Sequence, residues 1–232
     1  MTAPRTAQRP ADPATPADPP AASPATSPAT SPATEETPKR RDILEGARQV
    51  FRASGFDGAS MDKIAQAAGV SKGTLYVYFR NKEELFLELV AVDRREAAEQ
   101  FCQFDKDEAA VEVQLQRLGE TFVAMMVRPE HIALVRMVIG AAERFPEAGR
   151  AFYEMGPSFG IARLAAYLEE QAAAGRLRIE EDPALAAAHF FNLCQGNLAK
   201  RQLFNLDRPP DEEEIRRTVA SALRVFLSAY GP

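Results

Sequence analysis

Apolar residues recur every three or four positions along most of the chain after residue 37, which is the spacing of one face of an α-helix. No segment alternates apolar and polar residues as a half-buried strand does. The pattern therefore predicts an all-α protein. The predicted helices begin at Pro38, after Ser60, after Ser71 and after Asn81, the last running to about residue 104, and then cover about 108–127, 130–143, 147–174, 183–204 and 212–229, with a break at Gly156 and Pro157.

Short polar residues stand where several of these helices begin. Asp182 and Asp211 are suited to accept hydrogen bonds from first-turn amides, as is Thr37 before a proline. Asn81 and Glu84 have the spacing of a capping box. The helix after Asn81 is long enough to connect two parts of the molecule.

Residues 60–82, SMDKIAQAAGVSKGTLYVYFRNK, predict two short helices joined by a tight turn. Ser60 caps the first helix, Gly69 supplies the positive φ of the turn, and Ser71 caps the second helix. Leu75 and Phe79 lie one turn apart and are predicted to pack inward, which leaves a polar and aromatic outer face. This is the arrangement of a helix-turn-helix unit that reads DNA.

The stretch SKGTLYVYFRNKEELF, preceded by a helix that ends in AAGV, resembles the N-terminal domain of the TetR family of bacterial transcriptional regulators. The resemblance covers about residues 40–90 and begins with RRDILEGARQVFRASGFDGAS, whose Ile43, Ala47, Val50 and Phe51 form an inward face. Later segments, RFPEAGRAFYEMGP, LAAYLEEQAAAGRLRIEEDP and NLCQGNLAKRQLF, resemble the ligand-binding domain of the AefR-like branch.

Candidate DNA contacts lie on the second short helix and at the two helix starts. The resemblance implies that Tyr76 and Lys82 grip phosphates and that Gly73 lets the helix approach closely. Tyr78 stands where many family members have histidine. The full candidate set is Ser60, Ser71, Lys72, Gly73, Thr74, Tyr76, Val77, Tyr78 and Lys82.

Charge is distributed unevenly along the chain. Residues 39–82 hold nine Lys and Arg against four Asp and Glu, a net charge of +5, whereas the whole chain carries −5. A basic segment suits a polyanionic partner, while an acidic remainder is repelled by it. Residues 1–37 are rich in Pro, Ala, Ser and Thr, repeat SPAT, and are predicted to be a disordered tail because they offer no apolar core. The predicted domains are then 38–84, which binds DNA, and 85–232, which binds ligand and dimerises.

The last two predicted helices indicate a homodimer. Apolar residues recur along the final helix from Ile215 to Tyr230, and they go almost all the way round the helix before it. The resemblance implies that these two helices form a four-helix interface with their two-fold mates. The alternative is that a single chain buries both helices.

The second domain carries soft and aromatic side chains suited to an adaptable apolar cavity for a small apolar or amphipathic effector. The resemblance to TetR proteins implies that this ligand releases the protein from a palindromic operator. The candidate ligand contacts are Phe101, Phe104, Phe122, Met125, Met137, Phe152, Phe159, His189 and Asn192.

Patterns that suggest an enzyme are weak. Residues 156–160 fit G-x-S-x-G, with His189 as a candidate base for Ser158, but no predicted strand precedes them as a nucleophile elbow requires. No cofactor or metal site is expected, since the histidines are isolated and no phosphate-binding loop is present. Two cysteines, no signal-like start and no long apolar run favour a cytoplasmic protein without a membrane span. A helical carrier or partner-binding module without DNA specificity is the alternative function.

Overall fold

The structure, a computed structural model, describes residues 37–100, 110–206 and 208–232, with side chains placed for 37–94 and for the two later ranges. These residues form α-helices and no β-strand, which confirms the predicted fold class. The predicted tail, apart from Thr37, lies outside the described residues, as do Phe101, Cys102 and Phe104. The helices are α1 (Pro38–Gly58), α2 (Met61–Ala67), α3 (Lys72–Tyr78), α4 (Lys82–Gln100), α5 (Val111–Met126), α6 (Pro129–Ala142), α7 (Pro146–Tyr153), α8 (Phe159–Ala173), α9 (Pro183–Gln195), α10 (Leu198–Leu203) and α11 (Glu212–Tyr230).

The predicted helix caps are present. The carboxylates of Asp182 and Asp211 accept amide hydrogen bonds at 2.9 and 2.8 Å. Asn81 Oδ1 accepts from the Glu84 amide at 2.8 Å, and the Glu84 carboxylate accepts in return from the amide of Arg80. These bonds satisfy donors that a helix start leaves without intrahelical partners.

Two helices end earlier or bend more than the periodicity predicts. Gly55 bends α1 near its end with a φ of +66°. Gly196, with a φ of +49°, ends α9, so the segment predicted as one helix over 183–204 is divided into α9 and α10. At the predicted break around Gly156, a π-helical segment, Glu154–Ser158, joins α7 to α8 instead of a loop.

The N-terminal helices share one apolar core with α4 and α6. Phe51 of α1 lies edge-on to Phe86 of α4, with ring centroids 5.0 Å apart. Leu134 and Val138 of α6 are buried in the same cluster. The boundary expected after residue 84 therefore falls within a helix whose side chains complete the N-terminal core. We call α1–α3 the head and the helices after α4 the body.

The body core lies between α5, α8, α9 and α11. The apolar stripe of α11 is buried here, with Val219 and Phe226 fully enclosed by their own chain. Helices α5 and α9 cover this face of α11, so the stripe packs within its own chain. The large apolar side chains that α9 and α11 leave exposed are Leu185, Leu193 and Val225.

Candidate functional site

Helix α3 has an outer face that carries polar and aromatic side chains. Leu75 and Phe79 are buried, as predicted, and they fix the rotation of the helix on the head. Lys72 and Gly73 are exposed, and Tyr76 and Val77 have exposed fractions of 45% and 66%. An aromatic ring and a β-branched side chain left uncovered beside a cation form a surface that is unusual for a solvated helix.

The two candidate serines act as helix caps. Ser60 Oγ accepts from the Lys63 amide at 3.3 Å, and Ser71 Oγ accepts from the Thr74 amide at 3.0 Å. Ser71 Oγ and Thr74 Oγ1 are also 2.7 Å apart. Both hydroxyls lie at helix N-termini on the exposed side, where amides and the helix dipole favour an anion.

Gly73 is not required by packing within the chain. Among the described residues, a Cβ at this position would meet only Ser71 Oγ, at an ordinary 3.8 Å. Glycine within a helix costs about 1 kcal/mol relative to alanine. The described residues therefore offer no internal reason for this glycine.

Lys72 pairs with Asp62 across the outer surface of the head, with Nζ and Oδ1 2.6 Å apart. Both side chains are mainly exposed, and the hydrogen bond that Lys72 donates to Asp62 raises the pKa of Lys72. An exposed pair of this kind is weak and is exchanged readily for another anion.

The side chains of Tyr78 and Lys82, unlike those of the outer face of α3, contact residues of α1 or of its N-terminal cap. The Thr37 hydroxyl donates to the Tyr78 hydroxyl at 3.3 Å. Lys82 Nζ donates to the Phe56 carbonyl at 2.8 Å and lies 4.4 Å from the centroid of the Phe56 ring. The negative end of α1 draws this cation inward, so Lys82 holds the end of α1 in place.

A cavity of about 410 Å³ lies between α4, α5, α6, the π-helical segment and α9. Five of the ligand contacts predicted from the sequence line this cavity, although the sequence alone did not show that they lie close together. Those five are Phe122, Met125, Phe152, Phe159 and Asn192. Met126, Met155, Phe191 and Gln195 also line it.

Met137 and His189 do not line the cavity, so these two predictions are corrected. Met137 is buried in the core shared with the head, because that face of α6 packs on α1. His189 lies on the outer side of α9, where its Nδ1 is 2.8 Å from the Tyr230 hydroxyl. The cavity face of α9 is the one that carries Asn192.

A buried arginine and a buried histidine line the cavity, and neither was predicted as a ligand contact. Arg94 of α4 and His131 of α6 are each only 6% exposed. Arg94 Nη2 is 3.0 Å from His131 Nδ1, and the guanidinium carbon lies 4.7 Å from the centroid of the Phe152 ring. Burial, followed by the charge of Arg94, lowers the pKa of His131 to about 4, so the imidazole is neutral near pH 7.

The sequence does contain a signal for Arg94. Phe86 and Val90 are fully buried residues of α4, and Arg94 follows them at the same four-residue spacing. A charge in phase with an apolar stripe faces the interior. Arginine is almost never fully buried unless it is paired.

The residues that suggested an enzyme lie in the wrong context. Ser158 is exposed at the end of the π-helical segment, with no strand before it. Among the described residues, no group of three potential metal ligands comes together. In the same part of the chain, no helix is both long and apolar enough to cross a membrane.

Comparison with known proteins gives two family matches. Residues 43–89 match the description "Bacterial regulatory proteins, tetR family". Residues 113–232, more than half of the chain, match "AefR-like transcriptional repressor, C-terminal domain". Members of this family are transcriptional regulators and not enzymes.

Individual relatives agree with these matches. The transcriptional repressor AcnR of Corynebacterium glutamicum is 41% identical over 63 residues, which are 27% of this chain and 34% of AcnR. The chain thus matches about a third of the length of this curated relative. A TetR-family transcriptional regulator from Mesorhizobium loti superposes with a TM-score of 0.77 at 30% identity, covering 85% of this chain and 100% of that one.

A second solved structure, the flavonoid-responsive regulator FrrA, superposes with a TM-score of 0.74 at 36% identity, over 84% of this chain and 97% of FrrA. The likeness therefore extends through both the head and the body. The chain belongs to the TetR family of bacterial regulatory proteins, with an AefR-like C-terminal domain.

Proposed function

We propose that the protein is a homodimeric repressor that binds a two-fold symmetric DNA operator through α3 and leaves it when a small amphipathic molecule fills the cavity. The observation that carries the proposal is the outer face of α3. Its exposed residues are the ones that a helix inserted in a major groove would use, and its inward residues hold it rigidly on the head.

Contacts to DNA divide into two kinds. Tyr76, which is exposed, and the amides at the starts of α2 and α3 are suited to bind phosphates, and such contacts would position the head on DNA. Thr74 and Val77 are suited to thymine methyl groups, and Lys72 to guanine acceptors once it leaves Asp62. Gly73 has room around it within the chain, which supports a close approach of the DNA backbone.

Tyr78 and Lys82 support the interface from behind. Because Lys82 Nζ donates to the carbonyl near the end of α1, Lys82 first contributes by fixing the position of α1 in the head. A phosphate contact from Lys82 adds to this when DNA draws the ammonium outward. The +5 charge of residues 39–82 attracts DNA to the same surface.

The proposed dimer surface lies on α9 and α11. Leu185 and Leu193 are two turns apart on α9 and have exposed fractions of 45% and 36%, and Val225 of α11 is 54% exposed. Exposed apolar side chains on two neighbouring helices are typical of a surface that a second copy covers. Two-fold symmetry then places two heads, which must lie about 34–36 Å apart to read successive major grooves.

Helix α4 is suited to transmit ligand binding to the head. Asp93 binds Arg48 of α1, with the charged atoms 2.6 Å apart, and Glu88 binds Arg40 of the same helix at 2.6 Å. Arg94, the next residue along α4, lines the cavity. A ligand that moves α4 therefore moves α1 with it. Coupling of about 1–3 kcal/mol would change DNA affinity by about 5- to 150-fold.

Selection of random duplex DNA by the purified full chain at two salt concentrations tests the proposal. We expect an enriched sequence with two-fold symmetry, bound more weakly as salt rises because phosphate contacts release counterions. Enrichment of an asymmetric site would contradict the dimeric arrangement. No enrichment, with no salt-dependent affinity for duplex DNA, would favour the carrier function.

A further inference from the structure

The cavity contains a buried positive charge that no described carboxylate neutralises. Arg94 is only 6% exposed, yet none of the described acidic groups lies within salt-bridge distance of it. Its contacts are His131 and the face of Phe152. Burial lowers the pKa of Arg94, which reflects how poorly this site suits a cation by itself. Buried charges are normally paired.

Two hydrogen-bond donors at this site have no acceptor among the described residues. A guanidinium can only donate, so His131 Nδ1 accepts from Arg94 and the imidazole hydrogen is on Nε2. His131 Nε2 and Arg94 Nε are both buried, and neither has a hydrogen-bond partner in the part of the chain that the structure describes. Two N–H donors without acceptors among the described residues, on side chains that line the cavity, are complementary to an acceptor group that carries negative charge.

The backbone is shaped to hold the guanidinium there. Gly156 of the π-helical segment passes so close that a Cβ would lie 3.1 Å from Arg94 Cδ and 3.4 Å from Nη1. Phe152 covers the guanidinium from α7. Arg94 is therefore confined between Gly156, Phe152 and His131 and cannot swing out to water without moving them.

The rest of the cavity wall selects the body of the ligand. Apart from Arg94, the described side chains that line it are uncharged, and most are aromatic or thioether groups. A volume of about 410 Å³ is within the range that holds a drug-sized molecule. One guanidinium matches one carboxylate, whereas a di- or triphosphate would require more cations than these residues supply.

We propose that the effector is an organic monocarboxylate with an apolar body, whose carboxylate binds Arg94 Nε and His131 Nε2. This inference rests on the proposed ligand-released function, since it assigns a chemical class to the ligand of the same cavity. The carboxylate completes an ion pair that none of the described residues supplies. Arg94 follows Asp93 directly on α4, so the new ion pair lies beside the Asp93–Arg48 link from α4 to α1.

Matched ligands test the assignment by calorimetric titration of the full chain. The probes are decanoate with 1-decanol, and 2-naphthoate with 2-naphthalenemethanol, so that each pair shares one apolar body. We expect at least one carboxylate to bind, at least about tenfold more tightly than its alcohol. Equal affinity within both pairs, or no binding of either carboxylate, would overturn the proposal.

Variants locate the anion. Arg94→Met should abolish the preference for the carboxylate over its matched alcohol, whereas Arg150→Met, which removes an exposed arginine of α7, should leave that preference intact. His131→Phe keeps the charge but removes one donor, so it should weaken carboxylate binding severalfold even if Arg94→Met does not fold. Retained preference in a folded Arg94→Met protein, or unchanged carboxylate affinity in His131→Phe, would refute the assignment.

DNA release is measured separately, by adding the same probes to the complex with the selected operator. Carboxylate binding without release would leave the anion site intact and refute ligand-released repression. Release by the alcohols as strongly as by the carboxylates would support repression by release and overturn the carboxylate assignment.

Discussion

The crossing of α1 and α2 in the head leaves no room for a side chain at Gly46. A Cβ there would lie 2.6 Å from the backbone nitrogen of Ala68 and 2.8 Å from its Cα. These are backbone atoms, so the contact cannot be relieved by rotating a side chain. In Gly46→Ala, the end of α2 must move away by about 0.8 Å to reach the 3.4 Å of an ordinary contact.

The expected energy follows from two opposing effects. Alanine stabilises a helix by about 1 kcal/mol relative to glycine. Overpacking in a close-packed core costs about 1–3 kcal/mol. Gly140→Ala provides the matched control, because Gly140 is in α6 and nothing lies within 4 Å of its Cβ position. Gly46→Ala should therefore be about 1–3 kcal/mol less stable than Gly140→Ala.

Thermal unfolding of both variants, followed by circular dichroism, measures this difference. For a chain of this size we expect a gap of about 2–12 °C between the midpoints. Because Gly69 and α3 follow Ala68 directly, Gly46→Ala should also lose affinity for the selected operator at temperatures where both variants are folded. Equal midpoints, or a more stable Gly46→Ala, would refute the argument from the helix crossing.

Three further perturbations address the α3 surface, the buried histidine and the dimer. Lys72→Ala should relax the sequence preference in DNA selection, whereas Lys200→Ala, an exposed lysine of α10, should not; an identical selected site would remove the base-reading role. The folded-state pKa of His131 lies near 4, below the unfolded value near 6.5. The contribution of neutral His131 to the free energy of unfolding is therefore present above pH 6.5 and is lost as pH falls toward 4. Urea unfolding should therefore show wild type losing about 3 kcal/mol more than His131→Phe over that range, and parallel pH profiles would contradict the depressed pKa. Leu193→Glu should convert the dimer to monomer in sedimentation velocity, while Val113→Glu, at a similarly exposed site on α5, should remain dimeric; a dimeric Leu193→Glu would place the interface elsewhere.

The head illustrates how far local sequence goes. Ser60, Gly69 and Ser71 act on the backbone within a few residues of themselves, so the order helix, turn, helix follows from their chemistry alone. Leu75 and Phe79 are separated by one helical turn, and that spacing fixes which side of α3 faces outward. The direction of Lys82 did not follow in the same way, because the carbonyl that binds it belongs to residue 56.

The body shows the limit of periodicity. A stripe such as Ile215 to Phe226 predicts that one face of α11 is covered, but it carries no information about whether the cover is the same chain or another. Met137 has the same difficulty, because α6 is apolar on the side toward α1 as well as on the side toward the cavity. Only the packing of neighbouring helices distinguishes these faces.

The amino-acid sequence by itself determined the helical class, the positions of the caps and turns, and the helix-turn-helix unit, since each of these depends on residues close together in the chain. The tertiary structure decided that the α11 stripe is internal and that Arg94 and His131, 37 residues apart, meet at an apolar cavity. Their meeting depends on how α4 and α6 pack, and long-range packing is a property of the whole fold that no local pattern contains.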